Sequence, residues 1–249
     1  MNTSAYLARI SYAGPTEPNV ATLRGLHRAH MLAVPFENLD IGLKRKIVCD
    51  ETSFVHKIVD TRRGGFCYEM NGAFAALLRQ LGFTVTLLSA RVPRSDGSDG
   101  PEFDHLTLRV DLEEPWLADV GFGDFVLEPL LLKTDIVQEQ GGKKYRLFEV
   151  GERMHVQRCD QDGVWKPEYT FRLQPRQLRD FARMCHYHQT SPESPFTQKR
   201  LCTIATADGR ITLSNMRLIV TRGTDRKESE IKTQAQWHAA LKTHFGVVL

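Results

Sequence analysis

The chain has no apolar run long enough to cross a membrane. Stretches such as Leu130-Leu131-Leu132 fall far short of the roughly 20 residues a spanning helix needs. Met1 to Ile10 shows no basic segment followed by an apolar core, so a secretory signal is not expected. The five cysteines, at 49, 67, 159, 185 and 202, are odd in number, and no pair has the spacing of a zinc site or a disulfide framework. No metal is therefore expected, and reduced thiols point to the cytoplasm. No cluster interleaves basic and aromatic residues, and net charge is only +3, which argues against a nucleic-acid partner. A phosphate-loop signature, internal repeats and low-complexity linkers are absent as well.

What is present is an ordinary globular composition: 249 residues, 41% hydrophobic, 25% charged and 9% aromatic. Val20 to Leu32 carries apolar residues near helical spacing up to the Pro35-Phe36-Glu37-Asn38-Leu39-Asp40 loop. Thr52 to Val59 predicts a second helix opened by a hydroxyl cap. A third begins near Phe66 or Cys67, with one apolar stripe and Gly82 as its C-terminal cap. From Thr84 the pattern turns to strands. In 103–112, Leu106, Leu108, Val110 and Leu112 alternate with Phe103, His105, Thr107 and Arg109. The chain turns at 113–115 and returns over Trp116 to Phe122. Further short strands are expected over 126–171, a helix over 176–186, strands over 201–206 and 211–220, and a closing helix from Glu228 to Phe245.

The most informative run is Arg62-Arg63-Gly64-Gly65-Phe66-Cys67-Tyr68-Glu69-Met70-Asn71. It sets a cysteine where a glycine turn gives way to a helix, whose unpaired N–H groups favour an anion. Such a site can lower a thiol pKa from its usual ~8.5. A nucleophilic thiol also needs a base. Most of the nine histidines fall in predicted helices, and His186 and His188 sit near a helix end. His105 instead lies on the strand face opposite the leucines. Asp119, on the return strand, is a carboxylate that could orient it, provided an odd loop or a bulge at Gly121 and Gly123 sets the parity correctly. Taken singly, Cys67, His105 and Asp119 fit a buried thiol, a satisfied polar residue and a turn former equally well.

Several separated motifs tie them together. These are Tyr6-Leu7-Ala8-Arg9-Ile10 with Tyr12, Leu26-His27-Arg28-Ala29-His30 leading to Pro35-Phe36-Glu37-Asn38-Leu39, and the run through Cys67. After them come Asp104-His105, Asp119-Val120-Gly121-Phe122-Gly123, and Ser191-Pro192-Glu193-Ser194-Pro195-Phe196. Over roughly residues 5–200 the chain resembles the arylamine N-acetyltransferases, whereas 200–249 adds little.

The resemblance implies a multi-part α+β fold. A helical bundle (1–83) would carry the nucleophile, a β-barrel (84–190) would carry His and Asp, and an α/β lid (191–249) would complete a papain- or transglutaminase-like core. It implies ping-pong acetyl transfer from acetyl-CoA to an arylamine, hydrazine or N-hydroxyarylamine through an S-acetyl-cysteine. Cys67 would be nucleophile, His105 base and Asp119 orienting carboxylate. Phe36, Val92, Phe122 and Phe196 would line the acceptor pocket, and Phe103, Asp104 and Gly123 would border coenzyme A. Arg63 and Glu37 are expected to pair as a brace, and Gly64 and Gly65 to supply unusual backbone angles. The protein would act as a monomer or homodimer. A cysteine hydrolase, an acyltransferase or amide synthase with another acyl group, and a non-enzymatic binding module are the competing readings.

Overall fold

The computed structural model describes residues 1–94 and 96–249, so only Ser95 lies outside the described residues. In chain order the helices are α1 (Thr3–Arg9), α2 (Val20–Ala33), α3 (Leu39–Gly42), α4 (Glu51–Val55), α5 (Cys67–Gln80), α6 (Ala182–Thr190), α7 (Pro195–Gln198) and α8 (Gln234–Phe245). A π-helical turn, His56–Asp60, extends α4, and a 3₁₀ turn, Leu178–Phe181, leads into α6. The strands are β1 (Phe36–Glu37), β2 (Thr84–Arg91), β3 (His105–Asp111), β4 (Pro115–Ala118), β5 (Leu130–Leu131), β6 (Val137–Gln140) and β7 (Lys143–Val150). They continue with β8 (Arg153–Cys159), β9 (Trp165–Phe171), β10 (Leu201–Thr206), β11 (Gly209–Ser214), β12 (Arg217–Arg222) and β13 (Asp225–Glu230).

This is an α+β architecture with two antiparallel sheets. One has eight strands in the order β5-β4-β3-β2-β9-β8-β7-β6; the other has five, β1-β10-β11-β12-β13. The eight-stranded sheet curls until its edge strands face each other, and side chains bridge the seam. The Gln138 amide accepts from Leu131 N–H at 2.7 Å and donates to Leu131 O at 2.9 Å. Gln140 does the same to Glu128, at 3.0 and 2.9 Å. Each amide stands in for a peptide group, so the edges are satisfied without a backbone ladder.

Helix α5 is the centre of the core. Ala73, Phe74, Leu77 and Leu78 are fully buried. At roughly 1.5–3 kcal/mol for each large apolar side chain, this stripe fixes the helix against β2 and β3.

Several expectations need correction. The 35–40 segment is not a loop alone: Phe36 and Glu37 pair with Thr203 and Cys202, tying the helical part to the second sheet. The second helix is capped by the Asp50 carboxylate, which accepts from Ser53 N–H at 2.9 Å, and not by a hydroxyl. Residues 228–230 belong to β13, whose charged residues suit an exposed edge strand; the closing helix starts only after the Thr233 cap. Gly64 and Gly65 do not adopt positive φ. They are required by close approach, since a Cβ on Gly64 would lie 1.8 Å from Pro35 O and one on Gly65 2.5 Å from Glu69 Cβ.

The Arg63–Glu37 pair forms at 2.7 Å and is part of a larger buried network. Arg63 also reaches Asp40 at 3.1 Å, while Lys57 contacts Asp40 at 2.8 Å and Glu69 at 2.7 Å. Burial alone would raise the Asp40 carboxyl, but Lys57 and Arg63 hold it below its ordinary value. Burial pushes Glu69 up to about 7 in spite of Lys57. The network locks the 35–40 segment and the first turn of α5 together. Removing one member leaves buried charge uncompensated, which costs about 3–5 kcal/mol. Arg63→Ala should therefore lower the urea midpoint by an amount corresponding to that loss; an unchanged midpoint would show that the network does not brace the fold.

Candidate active site

Cys67 is the first residue of α5 and is buried. The preceding Phe66 N–H is engaged by Glu69 Oε2 at 3.0 Å, which anchors the start of the helix. His105 opens β3, and Asp119 follows directly on β4. Asp111 pairs with Pro115, leaving a three-residue loop, and Leu108 pairs with Ala118. Continuing that register sets Asp119 opposite Thr107, on the same face as His105. The odd loop alone sets the parity, and no bulge at Gly121 or Gly123 is needed.

His105 Nε2–H donates to Asp119 Oδ2 at 2.6 Å. This leaves Nδ1 as the ring nitrogen not bonded to Asp119. Phe122 and Tyr169 pack on the imidazole, with ring centroids at 5.1 and 5.2 Å. The other carboxylate oxygen, Oδ1, accepts from Asn71 Nδ2 at 2.9 Å and from Gly121 N–H at 3.0 Å. Burial would keep Asp119 neutral, but His105, Asn71 and Gly121 hold its pKa below the ordinary value. The group is thus an ionised carboxylate that accepts three hydrogen bonds, one on Oδ2 and two on Oδ1.

Two further residues that hold Asp119 are not among the site residues expected from the sequence. Asn71 sits one helical turn after Cys67; besides Asp119 it donates to Leu106 O at 2.6 Å and accepts from Val120 N–H at 2.9 Å. His27 accepts from Asp119 N–H at 3.1 Å and bonds Leu127 O at 2.8 Å through Nδ1. Those partners assign the Nδ1–H tautomer, and burial pushes His27 down to about 4, so it stays neutral at physiological pH. The spacing of Cys67 and Asn71 was the one available signal for Asn71; nothing in the sequence singled out His27 among helical histidines.

A cavity of about 640 Å³ holds Cys67, His105, Phe36, Val92, Phe122, Phe196 and Asp104 in its lining. Phe103 and Gly123 are not in that lining. Phe103 has φ +66° and packs against Phe181 with centroids 5.2 Å apart, while Gly123 has φ +86° and its Cβ would be 4.0 Å from Phe36. Gly121 allows the 119–121 loop to meet the helix start, since a Cβ there would lie 2.9 Å from Cys67 O.

The thiol departs from expectation. Burial, and then the charges of Asp104 and Asp119, push Cys67 up, against hydrogen bonds from Leu106 and Tyr68 N–H groups. The start of α5 does not offset that burial, and the imidazole of His105 lines the same cavity as the thiol.

A family model described as N-acetyltransferase matches residues 19–249, so the match reaches the end of the chain. The fold and this match define the class: an acetyl-transferring enzyme. The Escherichia coli arylamine N-acetyltransferase is 36% identical over 97% of this chain and 87% of that protein. The Mycolicibacterium smegmatis arylamine N-acetyltransferase is 35% identical over 100% and 93%. Among solved structures, the Mycobacterium marinum arylamine N-acetyltransferase in complex with CoA superposes with a TM-score of 0.92 at 31% identity, over 98% of this chain and 92% of that one. The chain belongs to the arylamine N-acetyltransferase family.

Asn71 supplies a test of the site's construction. Asn71→Ala leaves an acceptor of the buried Asp119 carboxylate without its donor, at a cost of about 1–3 kcal/mol. Acetyl transfer should fall along with the urea midpoint, and unchanged activity would show that the Asn71 bridge does not position Asp119.

Proposed function

We propose that the chain acetylates arylamines, hydrazines or N-hydroxyarylamines by a ping-pong mechanism, with acetyl-CoA as donor and S-acetyl-Cys67 as intermediate. The observation that carries this reading is the 2.6 Å His105–Asp119 bond at a cavity that both His105 and Cys67 line. Asp119 fixes the imidazole and stabilises its protonated form; that imidazolium in turn stabilises the thiolate.

In the first half-reaction the Cys67 sulfur attacks the thioester carbonyl. A new S–C bond forms, the bond to coenzyme A breaks, and its sulfur leaves with the proton held by His105. In the second, the amine nitrogen attacks the acetyl carbonyl, the bond to Cys67 breaks, and the nitrogen's proton passes through His105. Developing negative charge on the carbonyl oxygen needs donors; the Cys67 N–H and a donor near His105 are our assignment. Phe36, Val92, Phe122 and Phe196 exclude water and seat the acceptor ring.

The exposed cations Arg94 and Lys199 at the cavity mouth suit the phosphates of coenzyme A. Asp104, being anionic, suits amide N–H groups of the pantetheine arm, with Phe103 and Gly123 bordering the same cleft. Residues 1–83 would supply the nucleophile, 84–190 the His–Asp pair and 191–249 the cavity wall at Phe196, on a papain-like core. Five free thiols favour a reducing cytoplasm, and the protein acts as a monomer or homodimer. Among the described residues no helix is long and apolar enough to cross a membrane.

Two experiments test this reading. Incubation with acetyl-CoA should add one acetyl group to Cys67, removable by an aromatic amine; the absence of that adduct would refute the mechanism. The pH dependence of alkylation follows from the raised thiol pKa. A raised pKa means less thiolate at every pH below it, so His105→Gln should react with iodoacetamide only well above pH ~8.5. The intact protein should react well below that pH; overlapping profiles would exclude the ion pair.

A further inference from the structure

A second imidazole–carboxylate pair lies in the cavity; the acetyl-transfer scheme uses Asp104 only toward the pantetheine arm and gives His188 no part. His188, on α6, is 3% exposed. Its Nδ1 lies 3.1 Å from Ser194 Oγ, and its Nε2 lies 3.2 Å from Asp104 Oδ1. Ser194 is itself fully buried. The Nε2 contact is too far off axis to count as a well-formed hydrogen bond, and Nε2 has no other partner among the described residues. The ring is clamped by Phe196 and Tyr68, with centroids at 5.1 and 6.1 Å. Tyr68 OH donates to Phe103 O at 2.7 Å and to Asp104 O at 3.3 Å, which fixes the backbone beneath the carboxylate.

The carboxylate thus has the His188 imidazole beside it, and its own side chain is 18% exposed on the cavity that Cys67 and His105 also line. A charge so placed is weakly screened, whereas Arg94, Lys199, Asp96 and Glu193 at the mouth are exposed to solvent. The Asp104 charge is also felt at the Cys67 sulfur.

We propose that Asp104, backed by His188, is a charge-selective specificity determinant that rejects acceptors carrying a carboxylate and favours those presenting an uncharged N–H donor. The inference rests on the acetyl-transfer reading above. An aromatic amine seated over Cys67 brings its ring substituent into the field of Asp104. A carboxylate there meets like charge, while a carboxamide of the same shape donates an N–H to the same oxygen.

The test compares 4-aminobenzoate with 4-aminobenzamide, with acetylation of Cys67 monitored separately by intact mass. The unaltered enzyme should favour the amide in kcat/KM. Asp104→Asn removes the charge at nearly constant shape and should narrow that preference about tenfold, as expected for one unit charge a few ångströms away in a partly screened site. It should also lower the pH at which Cys67 becomes alkylatable. His188→Gln keeps the carboxylate and should keep the discrimination, which separates charge from packing. An unchanged preference in Asp104→Asn, measured on protein whose Cys67 does acquire an acetyl group at any rate, would overturn this inference alone. Equal collapse of the preference in both variants would overturn it in favour of a packing effect. Failure of the unaltered enzyme to acquire an acetyl group would overturn the underlying reading together with it.

Discussion

The arrangement of the site depends on keeping a buried carboxylate ionised. Asp119 has no exposure to solvent. An isolated charge at that depth would neutralise itself by taking up a proton. It stays ionised because three elements converge on it: β3 brings His105, α5 brings Asn71, and its own loop turns back to offer Gly121 N–H. His27 from α2 holds the backbone of the same residue. One helix cannot shift against the sheet without stripping a donor from Asp119, so packing and catalysis share a single constraint. The raised thiol follows from the same burial. On the proposed mechanism, a cavity that keeps water from a thioester also denies solvent to a thiolate, and the imidazole has to resolve that conflict.

The sequence exposes the covalent part of this arrangement more clearly than its support. Cys67 is marked by its glycine turn, and His105 and Asp119 by a hairpin whose loop length fixes which face each residue occupies. Local rules act over a few residues and can be read directly. Asn71 and His27 act on partners 48 and 92 positions away, and no local pattern encodes such a contact. The glycines show a similar limit. Gly64 and Gly65 are visible as glycines, but whether they serve backbone angle or close approach depends on Pro35 and Glu69 arriving against them. Residues 228–230 of the edge strand β13 fall within the closing helix expected from Glu228 because their charges carry no period of either kind; pairing with β12 decides their conformation.

The first turn of α5 separates two tasks that the motif combines. Cys67 and Asn71 lie one turn apart, so they share a face and point toward the His–Asp pair. Glu69 lies between them and points away, to Lys57 and the Phe66 N–H, joining the Arg63 network. Neither network can be moved to the other face without exchanging these residues, because the helical period fixes their directions. Bracing charges therefore sit within a few residues of the proposed nucleophile yet act on the chain before it. That explains why Arg63, so close to Cys67 in sequence, pairs with Glu37 and Asp40 and contributes no positive field of its own at the sulfur: its charge is already neutralised by partners at 2.7 and 3.1 Å.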